Sequence, residues 1–253
     1  MKRADCQGFY SRPDWYDEIA REYVNDIPYY MGLAKRLKGP VLELSCGTGR
    51  VGIPMIEAGL DYWGIDISST MMKRFKEKAR EKGLNPNLVK GDVRKFSIKK
   101  KFNLIFYPYS AMAHIHEIKD LEALLRNVRK HLTKEGRLAF DIFNPSVEIL
   151  SRKPDFHFPV HEFADPISGK KIVVTETHTY DKSSQINHAK WHYRIGRKKD
   201  AIVNELNIRI YYPQELDALL KYNGFRIEKK YGRYDKSKFA SESPRMFYVC
   251  RVA

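Results

Sequence analysis

From residue 41 onward, apolar runs of strand length alternate with stretches whose apolar positions recur three and four residues apart. The runs at 41–45, 61–66, 87–90, 102–107 and 137–143 read as five strands. Helices are expected at about 49–58, Ser69–Lys82 and Lys119–Leu132, the first two ended by Gly59 and Gly83. Pro54 fits the first of them only within its opening turn, where a missing N–H costs nothing. Strands alternating with helices predict an α/β fold with a doubly wound, mostly parallel sheet. Right-handed crossovers then gather the loops after the strands along one edge, where ligands bind.

The rhythm differs at both ends. Pro13 and Asp14 suit the start of a helix running to about Tyr23, and Met31–Leu37 reads as a second helix stopped by Gly39-Pro40. After Phe143 the pattern switches to period two at Lys171–Tyr180, Gln185–Ile195 and Asn204–Tyr211, with turns at 181–184 and 196–200. The stretch is too long for a plain connection. It predicts an antiparallel β insertion after strand five. A helix at Pro213–Asn223 and strands at Phe225–Tyr231 and Arg245–Val252 complete a seven-stranded sheet. The expected division is 1–144 for the N-terminal helices and ligand-binding core, 145–212 for the insertion, and 213–253 for the closing helix and hairpin.

Candidate chemistry sits at the strand ends. After the strand Val41–Leu44, Gly47-Thr48-Gly49 turns the chain sharply, and both glycines let a ligand approach the backbone. Gly47, Gly49 and Gly52 spell G-x-G-x-x-G, which by itself also fits a dinucleotide site. Glu43 argues against a pyrophosphate, which it would repel, and for a cationic group above the loop. Asp66 closes the second strand, where an acid accepts both ribose hydroxyls. Asp92 follows the third strand, where an adenine amino group can be bound. Three acids at successive strand ends suit a ligand carrying an amine, a ribose and an adenine.

The chain here resembles the class I S-adenosylmethionine-dependent methyltransferases, through Glu43-Leu44-Ser45-Cys46-Gly47-Thr48-Gly49, Gly64-Ile65-Asp66-Ile67-Ser68 with Met71, and Gly91-Asp92-Val93, in the family's order and spacing. The resemblance implies a Rossmann-like sheet and S-adenosyl-L-methionine as cofactor. It implies a cofactor site of Glu43, Ser45, Gly47, Thr48, Gly49, Arg50, Asp66, Ile67, Met71, Gly91, Asp92, Val93 and Tyr107, with Tyr16 from an N-terminal segment that folds over the cofactor in related small-molecule enzymes. The loop after strand four borders the methyl group in this family. Tyr109 and His114 on that loop are the expected substrate-positioning residues, His114 as one that takes a proton or orients the acceptor. Tyr107 and Tyr109 offer aromatic faces to a sulfonium. Tyr10, Asn144, Trp191, Arg209 and Tyr211 are expected to line the acceptor. Asn144-Pro145 is not the Asn-Pro-Pro-Tyr motif of nucleic-acid amino methyltransferases, because it follows strand five and Ser146-Val147 replace its last two residues.

The insertion is similar to the lid of aminosugar N,N-dimethyltransferases. Methyl transfer to nitrogen or oxygen of a small-molecule acceptor is therefore expected, by in-line displacement under a cover that excludes water. The alternatives are an RNA or protein methyltransferase, a non-catalytic S-adenosylmethionine-binding module and, more distantly, an NAD oxidoreductase.

The net charge of +15 over 253 residues would attract nucleic acid or an anionic membrane. The lysines are dispersed, however, with Lys73, Lys76, Lys78 and Lys82 on one helix and Lys99–Lys101 before a strand. Solvated faces account for them, and neither a specific nucleic-acid partner nor a membrane partner is expected. Cys6, Cys46 and Cys250 have neither disulfide nor metal spacing, no histidine or carboxylate cluster is spaced for a metal, and no metal is expected. No signal peptide or bilayer-length apolar run stands out, so a cytoplasmic setting is expected. The pattern leaves the oligomeric state open.

Overall fold

The computed structural model of the protein describes residues 8–196 and 198–253, so Cys6 and Arg197 lie outside the described residues. The chain opens with helices α1 (Pro13–Ala20) and α2 (Asp26–Leu37). It then alternates through β1 (Val41–Leu44), α3 (Gly52–Glu57), β2 (Tyr62–Asp66), α4 (Ser69–Glu81), β3 (Asn87–Lys90), β4 (Phe102–Tyr107), α5 (Ile118–His131) and β5 (Leu132–Phe143). A short α6 (Val147–Leu150) precedes β6 (Phe158–Ala164), β7 (Lys171–Asp181), β8 (Ile186–Ile195) and β9 (Lys198–Arg209). Last come α7 (Pro213–Tyr222), β10 (Phe225–Tyr231) and β11 (Arg245–Val252).

These elements form two compact units. The larger comprises Tyr23–Ala113, Glu117–Asn144 and Tyr211–Ala253. It holds a seven-stranded sheet in the order β10-β11-β5-β4-β1-β2-β3. β1 to β5 pair in parallel, and β11 runs antiparallel to both β5 and β10. Every position of β1 is buried, as expected of a parallel strand covered on both faces. From β1 the chain passes to β2 and β3 on one side and then to β4 on the other, so the topological switch lies between β1 and β4.

The second unit comprises the N-terminal segment up to Glu22, His114–His116 and Pro145–Ile210. Its sheet is an antiparallel meander, β6-β7-β8-β9. Phe9, Trp15 and Ile19 from the N-terminal segment pack with Ile172, Val174, Trp191 and Tyr193 from the meander. The alternation that puts Trp191 and Tyr193 on one face of β8 thus creates an apolar surface that α1 covers. The compact units are accordingly drawn differently from the sequence boundaries, with residues 8–22 joining the inserted sheet.

α1 ends at Ala20 rather than about Tyr23, α6 and β6 were not expected, and three further elements start earlier than expected. α2 begins at Asp26 rather than Met31, with Pro28 in its first turn, where proline is tolerated. β5 begins at Leu132 rather than 137, because its opening residues are largely polar and exposed and carry no apolar signal. β9 begins at Lys198, within the expected turn at 196–200. β6 was not legible at all. It contains Pro159, has a register shift between Pro159 and His161, and lies at the sheet edge, where proline is accepted. Among the described residues no helix is long and apolar enough to cross a membrane.

Candidate functional site

The glycine loop after β1 rests on a packed polar–aromatic cluster. The Tyr62 hydroxyl donates to Glu43 Oε2 at 2.5 Å, and Glu43 is only 2% exposed. Burial raises the Glu43 carboxyl from its ordinary 4.5 to about 8, opposed by that hydrogen bond and by Arg50. Glu43 thus turns inward and braces the loop from beneath. Gly49 has φ +84°, and an added Cβ would stand 2.4 Å from the Phe75 ring. At Gly52 an added Cβ would meet the Tyr62 hydroxyl at 2.5 Å. The ring packing under the loop therefore demands glycine at both positions, in addition to any ligand above it. Ser45 takes a left-handed φ of +55°, and its hydroxyl lies 3.5 Å from the Tyr107 hydroxyl.

Asp66 ends β2 with its carboxylate pinned by two backbone donors. Gly47 N–H reaches Oδ2 at 2.8 Å and Ser68 N–H reaches Oδ1 at 2.7 Å. Each oxygen keeps acceptor capacity for a hydroxyl. Burial raises the Asp66 carboxyl, and the backbone donors oppose the shift. Ile67 beside it is 46% exposed although it follows a buried strand, which leaves an apolar surface next to the acid. Ser68 caps α4 by accepting from Met71 N–H at 3.3 Å, and the Met71 side chain is buried.

Asp92 is arranged differently. Arg94 binds it through its backbone N–H, Nε and Nη2, at 2.6–3.1 Å. Arg94 also reaches Asp120 of α5 at 2.6 Å. The paired guanidinium holds the Asp92 carboxyl below its usual range. Its lone pairs are largely taken, whereas those of Asp66 are not. Gly91 and Val93 flank it, Gly91 N–H bonding to the Asp66 carbonyl at 2.9 Å and Val93 buried.

A second group in the larger unit joins the expected Tyr109 and Arg50 to residues not foreseen from the sequence, Asp141, Arg245, Tyr30, Asp26 and Tyr23. Asp141 of β5 is fully buried and accepts from Tyr30 OH at 2.7 Å, Tyr109 N–H at 3.0 Å, Ser110 N–H at 3.3 Å and Arg245 at 2.7 Å. Tyr109 and Ser110 both adopt left-handed φ, +59° and +54°. Such strain persists only where the surroundings impose it, and here Asp141 does so. Arg50 chelates Asp26 at 2.5 Å through two nitrogens and donates to the Tyr23 carbonyl. Its guanidinium lies 5.3 Å from the Tyr23 ring and 5.1 Å from the Tyr109 ring. Burial keeps the Tyr107 and Tyr109 hydroxyls above their ordinary range, so both stay neutral. One signal in the sequence pointed here: Asp141 is an acid inside the apolar run Leu138–Phe143.

The remaining expected residues divide between the units. Asn144, in the larger unit, spends its amide on the Ser241 and Ser243 carbonyls, at 3.1 and 2.8 Å, and braces the loop before β11. Tyr211 is buried in the same unit, ahead of α7. The smaller unit holds His114, whose Nε2 shares a 2.8 Å hydrogen bond with the Tyr10 hydroxyl. Burial pushes this imidazole down to about 4, so it is neutral at physiological pH and a weak base. Tyr16 packs near the Phe9 and Tyr10 rings. Trp191 donates to Glu176 at 2.7 Å, and buried Arg209 donates to the His116 carbonyl and to Gln185. Among the described residues no group of three or more histidine, cysteine or acidic side chains is placed to hold a metal ion.

A glycine loop over a switch point, an acid with two pinned oxygens and an exposed apolar neighbour fit a ligand that carries a ribose and a flat ring. Residues 41–136 match the methyltransferase domain family. The matched segment is thus a methyltransferase domain, and the whole chain is similar to S-adenosylmethionine-dependent methyltransferases, which supports S-adenosyl-L-methionine as the methyl donor. Over 213 residues it is 24% identical to the putative methyltransferase YqeM of Bacillus subtilis, a match covering 83% of each chain. The crystal structure of an S-adenosylmethionine-dependent methyltransferase from Clostridium acetobutylicum is similar with a TM-score of 0.79 and 21% identity, over 94% of this chain and 96% of that one. The sugar N-methyltransferase KedS8 from Streptoalloteichus is similar with a TM-score of 0.71 and 16% identity, over 94% and 91%.

Proposed function

We propose that the enzyme methylates nitrogen or oxygen of a small-molecule acceptor, with an amine as the favoured nucleophile. The supporting observation is the extent of the likeness to a sugar N-methyltransferase. At 94% of this chain it takes in most of the inserted meander as well as the core. In this reading the inserted unit carries acceptor choice and the larger unit carries the cofactor.

The bound cofactor supplies a sulfonium-activated methyl group. Asp66 would hold the ribose hydroxyls, Ile67 would pack on the adenine, and Gly47-Thr48-Gly49 would supply close backbone contact. Tyr107 and Tyr109 present neutral rings suited to a cationic centre. A neutral amine attacks without a strong base, and the ammonium product gives its proton to solvent. Alignment and exclusion of water then account for the catalysis, which suits a His114 that is a weak base.

The test is formation of demethylated cofactor against aminosugars, other amines and phenols, with structured RNA and peptides as competing acceptors. Turnover on a small amine is expected. Turnover confined to RNA or protein would overturn the acceptor class. Tight cofactor binding with no turnover on any acceptor would favour a non-catalytic module.

A further inference from the structure

At the end of the larger sheet away from the cofactor loops, three arginines stand in a row across neighbouring strands. Arg226 of β10 pairs directly with Arg251 of β11. One step beyond the last ladder pair of β11 with β5, Cys250 with Leu138, come Arg251 and Arg137. Facing side chains of like charge on adjacent strands repel. Arg36 of α2 and Lys229 of β10 join them around a groove of about 550 Å³, in which Glu228 is the only carboxylate among the described residues. Glu228 is shared, lying 2.5 Å from Arg137 and 3.5 Å from Arg251. Arg36, Arg226 and Lys229 make no ion pair among the described residues. Methyl transfer uses none of these groups.

We propose that this groove binds a small anion carrying two or more linked phosphates. Guanidinium groups are suited to phosphate because their planar donors match its oxygens two at a time. Charge held together against its own repulsion is relieved by such a ligand, and only one internal carboxylate competes for it. The volume lies within the roughly 300–1,000 Å³ of small-ligand sites. Among the described residues the lining has no aromatic side chain. A single-stranded nucleic acid would call for stacking rings and a longer cationic track, so a compact oligophosphate is the better match.

The full-length protein is titrated with inorganic tripolyphosphate by calorimetry and by thermal unfolding, at ionic strength held constant with sodium chloride. Saturable binding of one anion per chain and a rise in Tm are expected. Arg226→Gln combined with Lys229→Gln should weaken that binding by about tenfold or more, the equivalent of losing charge-assisted hydrogen bonds. Affinity for demethylated cofactor should be unchanged, which reports that the variant is folded. Arg226→Gln alone should leave the anion-free Tm equal to or above that of the wild type, because repulsion is relieved, and Arg226→Lys should retain binding. Equal tripolyphosphate affinity in the double variant, or no Tm rise beyond that of sodium chloride, would overturn the site. So would an Arg226→Gln Tm well below the wild type, or an RNA oligonucleotide that binds more tightly than tripolyphosphate at physiological salt and loses that advantage in the double variant.

Discussion

The carboxylate of Asp141 accepts the backbone N–H of Tyr109 at 3.0 Å, fixing a residue whose φ of +59° its own side chain disfavours. β4 and β5 are parallel neighbours, so an acid late in β5 meets the loop that leaves β4. Arg245 balances the buried charge at 2.7 Å.

Asp141→Asn should therefore be costly. It leaves Arg245 buried without its counter-charge, and breaking a buried pair from one side costs about 3–5 kcal/mol. Urea unfolding is expected to show a loss of this order, partly recovered when Arg245→Met is added. Methyl transfer should fall more than cofactor affinity, since the relaxed loop carries Tyr109 and not Asp66.

The two strand-end acids should differ in weight. Asp66→Ala is expected to weaken binding of S-adenosylmethionine and of its demethylated product by about 1.5–3 kcal/mol, the range for hydrogen bonds to a charged group. Asp92→Ala should cost less, because Arg94 already occupies its oxygens. Calorimetry on both variants decides it, and a larger loss for Asp92→Ala would show that Arg94 yields to the ligand.

Gly49→Ala should destabilise the larger unit even without cofactor. A left-handed φ costs an L-residue about 1–2 kcal/mol, and the new methyl would also overlap the Phe75 ring. Adding Phe75→Leu should restore part of the loss in Tm by making room. Full recovery would mean that backbone strain at Gly49 contributes nothing.

Glu43 gives a pH signature. Its folded-state carboxyl titrates near 8 against an ordinary 4.5. The folded state thus holds a proton that the unfolded state releases between those values. The contribution of Glu43 to stability is full below pH 4.5 and is lost as pH rises through 8, with a slope of about 1.4 kcal/mol per pH unit in that window. The difference in stability between Glu43→Gln and the wild type should grow from pH 5 to 8 (roughly the window that linkage sets) and level off above it. A difference that stays flat with pH would place Glu43 in an ordinary solvated setting.

Periodicity alone marked the core strands, the helices between them and the switch to period two after Phe143, because each reports a local choice between two faces. The glycine loop and the strand-end acids made Asp66 a candidate by position, because an acid closing the second strand is placed to accept ribose hydroxyls. The remaining features depend on neighbours distant in sequence. Arg94 takes up Asp92, Tyr62 turns Glu43 inward, and Ser241 and Ser243 claim Asn144, each through a partner that the residue's own segment does not announce. The Asp141–Arg245 pair joins positions 104 apart, and Phe9 and Trp15 find their apolar cover in β7 and β8. Side-chain hydrogen bonds and ring packing act over a few ångströms of space. The fold had to bring these groups together before their partners, and hence their roles, were determined.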